Sequence, residues 1–81
     1  EQKLERANLS RASFTGAYLL ETDLSASDLS GAVLANCDMR KCLLGGADLT
    51  GADLSGANLD MAWLAEANFC EARLANATLR K

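Results

Sequence analysis

Residues 46–59 read GADLTGADLSGANL, an alanine, an acidic or amide residue, a leucine, a small hydroxyl residue and a glycine said almost three times over. Extended in steps of five, the register holds through the whole chain. The block centres are Leu4, Leu9, Phe14, Leu19, Leu24, Leu29, Leu34, Met39, Leu44, Leu49, Leu54, Leu59, Leu64, Phe69, Leu74 and Leu79, all large and apolar. Thirteen of the fifteen leucines and both phenylalanines lie in this one column, so the pattern is not a by-product of an apolar composition. Two places before the centre stands alanine in eleven blocks, with Thr22, Ser27, Cys37 and Cys42 as small substitutes and Gln2 as the one larger residue. One place before it, eight blocks carry Asp or Asn.

A period of five fits neither regular element. On an α-helix each step advances about 140°, so the centres would wind over every face. On a straight strand an odd step throws successive centres to opposite faces. A uniformly apolar column therefore requires a chain that turns once per block, with centre and small residue both inward. Five of the six glycines (Gly16, Gly31, Gly46, Gly51 and Gly56), with Asn36 and Asn76, close their blocks, where they suit the positive φ of a type II turn. Arg11, Lys41 and Glu66 share that column, and the expectation is that such corners use another turn type, making the coils mixed.

Tandem A(D/N)LxG blocks resemble the pentapeptide-repeat family, and the resemblance covers all sixteen blocks. It implies an all-β fold, a right-handed quadrilateral β-helix with four blocks per coil and about four coils in residues 1–81. The chain reads as a single domain of sixteen repeats, excerpted from a longer product. Leu9, Phe14, Leu29, Leu34, Met39, Leu49, Leu54, Leu59, Phe69 and Leu74 form the expected inward core, with Phe14 and Phe69 placed to plug the ends of the tube. Stacked coils would bury these residues against one another, which answers the stability problem of so short a chain.

Folding in steps of twenty sorts the outward residues onto four sides. One side stacks Leu43 and Trp63 beside Gly45, Gly46, Ala26 and Ala65, a candidate protein-interaction face because aromatic anchors are enriched at interfaces. The next presents Asn8, Asp28, Asp48 and Asn68 with Ser10, Ser30, Thr50 and Cys70, a polar ladder whose Asp and Asn side chains, the resemblance implies, serve the backbone turns. The third, with Ser13, Val33, Asp53 and Arg73, has no chemical theme. The fourth carries Arg40, Lys41, Asp60, Arg80 and Lys81, a weaker candidate charged face that reads first as solvated and salt-bridged.

The formal net charge of −3 is too small to imply a strongly charged partner. There is no histidine, and three cysteines without a framework spacing favour reduced thiols and a cytoplasmic setting. Cys37 and Cys42 sit in the small inward column and Cys70 in an outward one, so no metal set is assembled. No nucleophile with a nearby base and no phosphate-binding loop occur, and no cofactor is expected. Nothing in the sequence resembles a membrane span. The expected function is a non-catalytic solenoid scaffold that binds an unidentified protein, with end-to-end self-association as a further contact and nucleic acid not expected. One alternative is inhibition of DNA gyrase or topoisomerase by DNA mimicry, which the resemblance suggests and the acidic pair Asp28 and Asp48 supports thinly. The other is a designed or truncated array with no function beyond its fold.

Overall fold

Each block spends three residues on a side and two on a corner. In the computed structural model, which describes residues 2–81, every corner is closed by an N–H donated back three residues to the centre's carbonyl. Ala7 reaches Leu4 in this way at 3.1 Å, and Ala52 reaches Leu49 at 2.9 Å. The chain then runs extended through the small residue and the one after it before the next centre and corner.

The corners are uniform, which corrects the expectation of mixed turns. Arg11, Lys41 and Glu66 have φ of 61°, 59° and 61°, alongside 72° at Gly16 and 68° at Gly51. The second corner residue is left-handed at all fifteen corners from Arg6 to Asn76, the signature of a type II turn. A non-glycine residue gives up about 1–2 kcal/mol to sit there. The conformation persists because it aims the corner N–H along the stack: Arg11 donates to Ser30 O at 2.9 Å and Lys41 to Asp60 O at 3.0 Å. Tertiary pairing overrides the local preference that glycine would have satisfied without strain.

Parallel bridges join residues twenty apart, in four columns that begin at Lys3, Asn8, Ser13 and Tyr18. The column from Lys3, for example, continues through Asp23 and Leu43 to Trp63. Successive passes are tied by three backbone bonds per side. Asp48 N–H donates to Ser27 O in the preceding pass at 3.0 Å, while Leu49 N–H reaches Asn68 O at 2.7 Å and Gly51 N–H reaches Cys70 O at 2.9 Å in the following one.

Inside this frame the centres and small residues fill the axis. Leu29, Leu34, Met39, Leu49 and Leu54 are fully buried, and Leu59 nearly so, with Ala32, Ala52 and Ala57 between them. Leu9, Phe14 and Phe69 are partly buried and pack against that core. Leu74, expected in the inward set, occupies a centre position in the last of the described passes and is 37% exposed. Among the described residues no helix is long and apolar enough to cross a membrane.

Candidate protein-interaction face

Of the five N–H groups in an interior block, four are used by the corner and the ladder. The fifth, on the residue after the centre, faces outward with no backbone acceptor. An Asp or Asn just before the centre supplies one. All eight such residues accept from the N–H two places on: Asn8 from Ser10 at 3.3 Å, Asp23 from Ser25 at 3.0 Å, Asp28 from Ser30 at 3.0 Å and Asp38 from Arg40 at 3.3 Å. Asp48, Asp53 and Asn58 accept at 3.0 Å and Asn68 at 2.9 Å. We call this bond a latch; it is an Asx turn repeated around the tube.

The latch explains the polar ladder of the second side. The Asp28 carboxylate also accepts from the Ser30 hydroxyl at 2.6 Å, as Asp48 does from Thr50 at 2.6 Å. Asp28 and Asp48 are therefore already occupied on one oxygen by their own blocks. The Ser25, Ser30 and Ser55 side chains, and then their N–H groups, hold Asp23, Asp28 and Asp53 below the ordinary aspartate range. The bond from Arg40 does the same for Asp38. Because the folded values are depressed, these groups stabilise the fold above their unfolded pKa, near 3.8, and lose that contribution as pH falls through the folded values. The expected result is a urea midpoint that is flat from about pH 7 to 5 and falls below about pH 4. Asp28→Asn, which keeps the latch oxygen but not its charge, lowers the neutral-pH midpoint slightly and reduces the acid loss; an identical acid profile in that variant would contradict the assignment.

On the first side the latch column carries Leu43 and Trp63, which are bridge partners in successive passes. Leu43 is 43% exposed and Trp63 62%. The indole lies down over the preceding pass: a methyl group placed on Gly45 would stand 3.4 Å from its Cδ1 and 3.5 Å from its Nε1. Met61, at the corner before Trp63, is also exposed, and a shallow open hollow is lined by Met61, Ala62, Trp63 and Lys81. Met61 is the residue that sequence reasoning passed over, since a methionine at a corner carries no motif. Folding the chain in twenties places it between Lys41 and Lys81, and that placement was the available signal.

The charged residues of the fourth side are drawn into pairs. Arg40 grips Asp38 through Nε to Oδ1 at 2.8 Å and Nη2 to Oδ2 at 2.6 Å. Arg80 meets Asp60 twice, with its N–H donating to Oδ1 at 2.9 Å and Nη2 lying 3.2 Å from Oδ2. Arg40 and Arg80 thus do not combine with Lys41 and Lys81 into an open basic edge. Exposed pairs of this kind contribute little to stability.

A sequence profile described as pentapeptide repeats matches in eight copies over residues 1–31, 27–62 and 52–81. The chain belongs to the pentapeptide-repeat family. Among solved structures it is similar to HetL, a pentapeptide repeat protein involved in heterocyst differentiation regulation from the cyanobacterium Nostoc sp. strain PCC 7120. The two share 35% identity over 96% of this chain and 36% of HetL, with a TM-score of 0.94. It is also similar to a pentapeptide repeat protein of the Arabidopsis thaliana thylakoid lumen, at 29% identity over 93% of this chain and 49% of that one, with a TM-score of 0.69. A second pentapeptide repeat protein of Nostoc PCC 7120 matches at 34% identity over 98% of this chain and 74% of its own, with a TM-score of 0.54. No match is found among curated proteins. The chain spans about a third of HetL and about half of the Arabidopsis protein.

Two of the three thiols of this pentapeptide-repeat chain belong to its core. Cys37 Sγ donates to Phe14 O at 2.8 Å and Cys42 Sγ to Leu19 O at 2.7 Å, while Cys70 is exposed. Burial pushes the Cys37 thiol up, and pushes Cys42 up to about 11, so neither ionises near neutral pH. Thiol titration of the native protein is expected to give one equivalent, rising to three in denaturant. Three rapid equivalents without denaturant would contradict the placement of Cys37 and Cys42. Among the described residues no group of three or more Cys, Asp or Glu is placed to hold a metal ion.

Proposed function

We propose that this chain is a non-catalytic scaffold module, a right-handed quadrilateral β-helix of four coils that associates with a protein partner through the side bearing Leu43 and Trp63. The observation that carries the reading is the exposed stack of Leu43 and Trp63 in a column where eight other blocks hold Asp or Asn. An exposed indole over bare backbone offers a partner a large rigid contact with little side-chain entropy to lose, which is how interface anchors act. The leucine-filled axis supplies rigidity, and the flat side presents the anchor.

The test is affinity measured against a purified partner for the native chain, Trp63→Ala and Asn68→Ala. Trp63→Ala is expected to weaken binding by about tenfold or more, the scale of an interface anchor. Its thermal midpoint should be unchanged, because the indole is mostly in solvent. Asn68→Ala, on the adjacent side, is the control and should bind normally. Equal affinity for all three proteins would overturn the choice of face. Inhibition of gyrase supercoiling by the purified chain would overturn the scaffold reading in favour of duplex mimicry.

A further inference from the structure

The latch column supplies more than an apolar patch. Where Asp or Asn is replaced, the N–H after the centre is left over. On the first side this happens in two successive passes, because Leu43 and Trp63 stand where the latch residue would be. Among the described residues nothing accepts from the N–H of Gly45 or of Ala65. The two donors belong to stacked passes, about 4.8 Å apart. Gly45 has no side chain of its own, the edge of the Trp63 indole lies beside it, and the alanine at 65 has a short side chain.

Resting on the reading of this side as the partner face, we propose that the Gly45 and Ala65 N–H groups are a docking site for a carboxylate of the partner, an Asp or Glu flanked by apolar residues. The partner's carboxylate takes the place that Asp48 or Asp53 fills within its own block, and its apolar neighbours cover Leu43 and Trp63. Backbone donors held rigid by the ladder bind an ionised acceptor more strongly than a neutral one. The surrounding charge favours the same sign of ligand on the upper half of the side. Lys41 and Lys81 flank Met61 at the adjoining corner, and neither makes an ion pair among the described residues. Glu66, at the far corner, and Glu21 and Asp23, in the pass below Leu43, oppose it; the Asp23 carboxylate is already latched to Ser25.

The third side provides an internal control. Ser13 and Val33 also leave two stacked N–H groups, those of Thr15 and Ala35, without a latch. That side has no large exposed apolar residue on the two blocks to hold a ligand beside the donors. It should not bind.

The test uses the 15N-labelled chain and three blocked peptides, acetyl-Leu-Asp-Leu-amide and its Asn and Ala counterparts. The Asp peptide is expected to move the Gly45 and Ala65 amide protons downfield and saturably, leaving Thr15 and Ala35 unmoved. The Asn peptide should bind about fivefold or more weakly, since its oxygen is uncharged, and the Ala peptide should not move the amides. Leu43→Asp, which gives the block its own latch, should shift the Gly45 amide downfield without peptide and abolish the peptide effect there. Equal shifts of the two amides with all three peptides, or an unaltered peptide response in Leu43→Asp, would overturn the proposal. If the Trp63 indole signal responds while both amides stay still, the carboxylate site is wrong and the partner face stands. If neither responds to any peptide although a purified partner still loses affinity with Trp63→Ala, the carboxylate site alone falls. If that affinity is also unchanged, both fall.

Discussion

Leu49→Ala lowers the unfolding free energy by about 2–5 kcal/mol, the range for emptying a fully packed leucine site. Leu49 has no exposed surface and stands in the column of Leu9, Leu29 and Phe69, so the deleted atoms lie between neighbours in the passes on either side. The cavity cannot collapse easily. Each pass is held at ladder spacing by backbone bonds such as Leu29 N–H to Asp48 O at 2.7 Å and Leu49 N–H to Asn68 O at 2.7 Å. Small domains are stable by only about 0.05–0.15 kcal/mol per residue, so a loss of this size removes a large fraction of the total. Urea unfolding followed by far-ultraviolet circular dichroism reads it directly. A midpoint equal to that of the native chain would show that the centres are not the source of stability. The same substitution at Leu74, which is 37% exposed, is expected to cost markedly less, and the contrast checks that burial rather than repeat position sets the effect.

Ala52→Leu destabilises in the opposite way, by inserting volume, and overpacking of this kind costs about 1–3 kcal/mol. Ala52 is fully buried and its column is Ala12, Ala32, Ala52 and Ala72, one alanine above another. A leucine there must displace either the alanines of the adjoining passes or the centres beside it. The frame resists both movements: Asp53 N–H is bonded to Ala32 O at 2.9 Å and Arg73 N–H to Ala52 O at 2.9 Å, so the sides cannot swell without breaking the ladder. Thermal melting is the check, and an unchanged midpoint would remove Ala52 from the interior. Cys37, Cys42, Thr22 and Ser27, at the same repeat position on the other sides, show what the inward position does tolerate: one extra heavy atom or two, with the polar atom satisfied by a carbonyl where the bond is seen, as in Ser27 Oγ to Leu24 O at 2.6 Å.

These two results are coupled through the geometry that also governs the surface. A side can carry a rigid anchor such as Trp63 because the centres below it do not move. The latch residues contribute further order, one backbone hydrogen bond in each of the eight blocks that carry Asp or Asn before the centre. Their absence at Leu43 and Trp63 exposes donors without loosening the ladder, since Leu43 N–H and Trp63 N–H still donate to Thr22 O at 3.0 Å and Cys42 O at 2.9 Å. Face and frame are separable for that reason, and Trp63→Ala is expected to change binding while Leu49→Ala changes stability.

The repeat determined by itself which residues form one column, because a period of five with a uniformly apolar position is incompatible with helix and straight strand alike. It also indicated glycine and asparagine corners and the thiols of Cys37 and Cys42 in the small column, while the stacking of Leu43 on Trp63 followed from the four blocks per coil that the family resemblance implies. Three things were decided only by the tertiary structure. Arg11, Lys41 and Glu66 turn as glycine does, because corner N–H groups such as those of Arg11 and Lys41 are needed by the next pass and the whole stack sets their φ. Leu74 is 37% exposed and Leu54 fully buried although they hold the same position in the repeat, because burial depends on neighbouring passes and no local pattern records that. The Asp and Asn column, expected to serve the backbone turns, does so at one particular donor, the N–H two places on, and that choice of donor exists only after the corner has formed. Period and composition are local properties and can be read from one dimension; strain, end exposure and the use of each donor depend on neighbours twenty residues away.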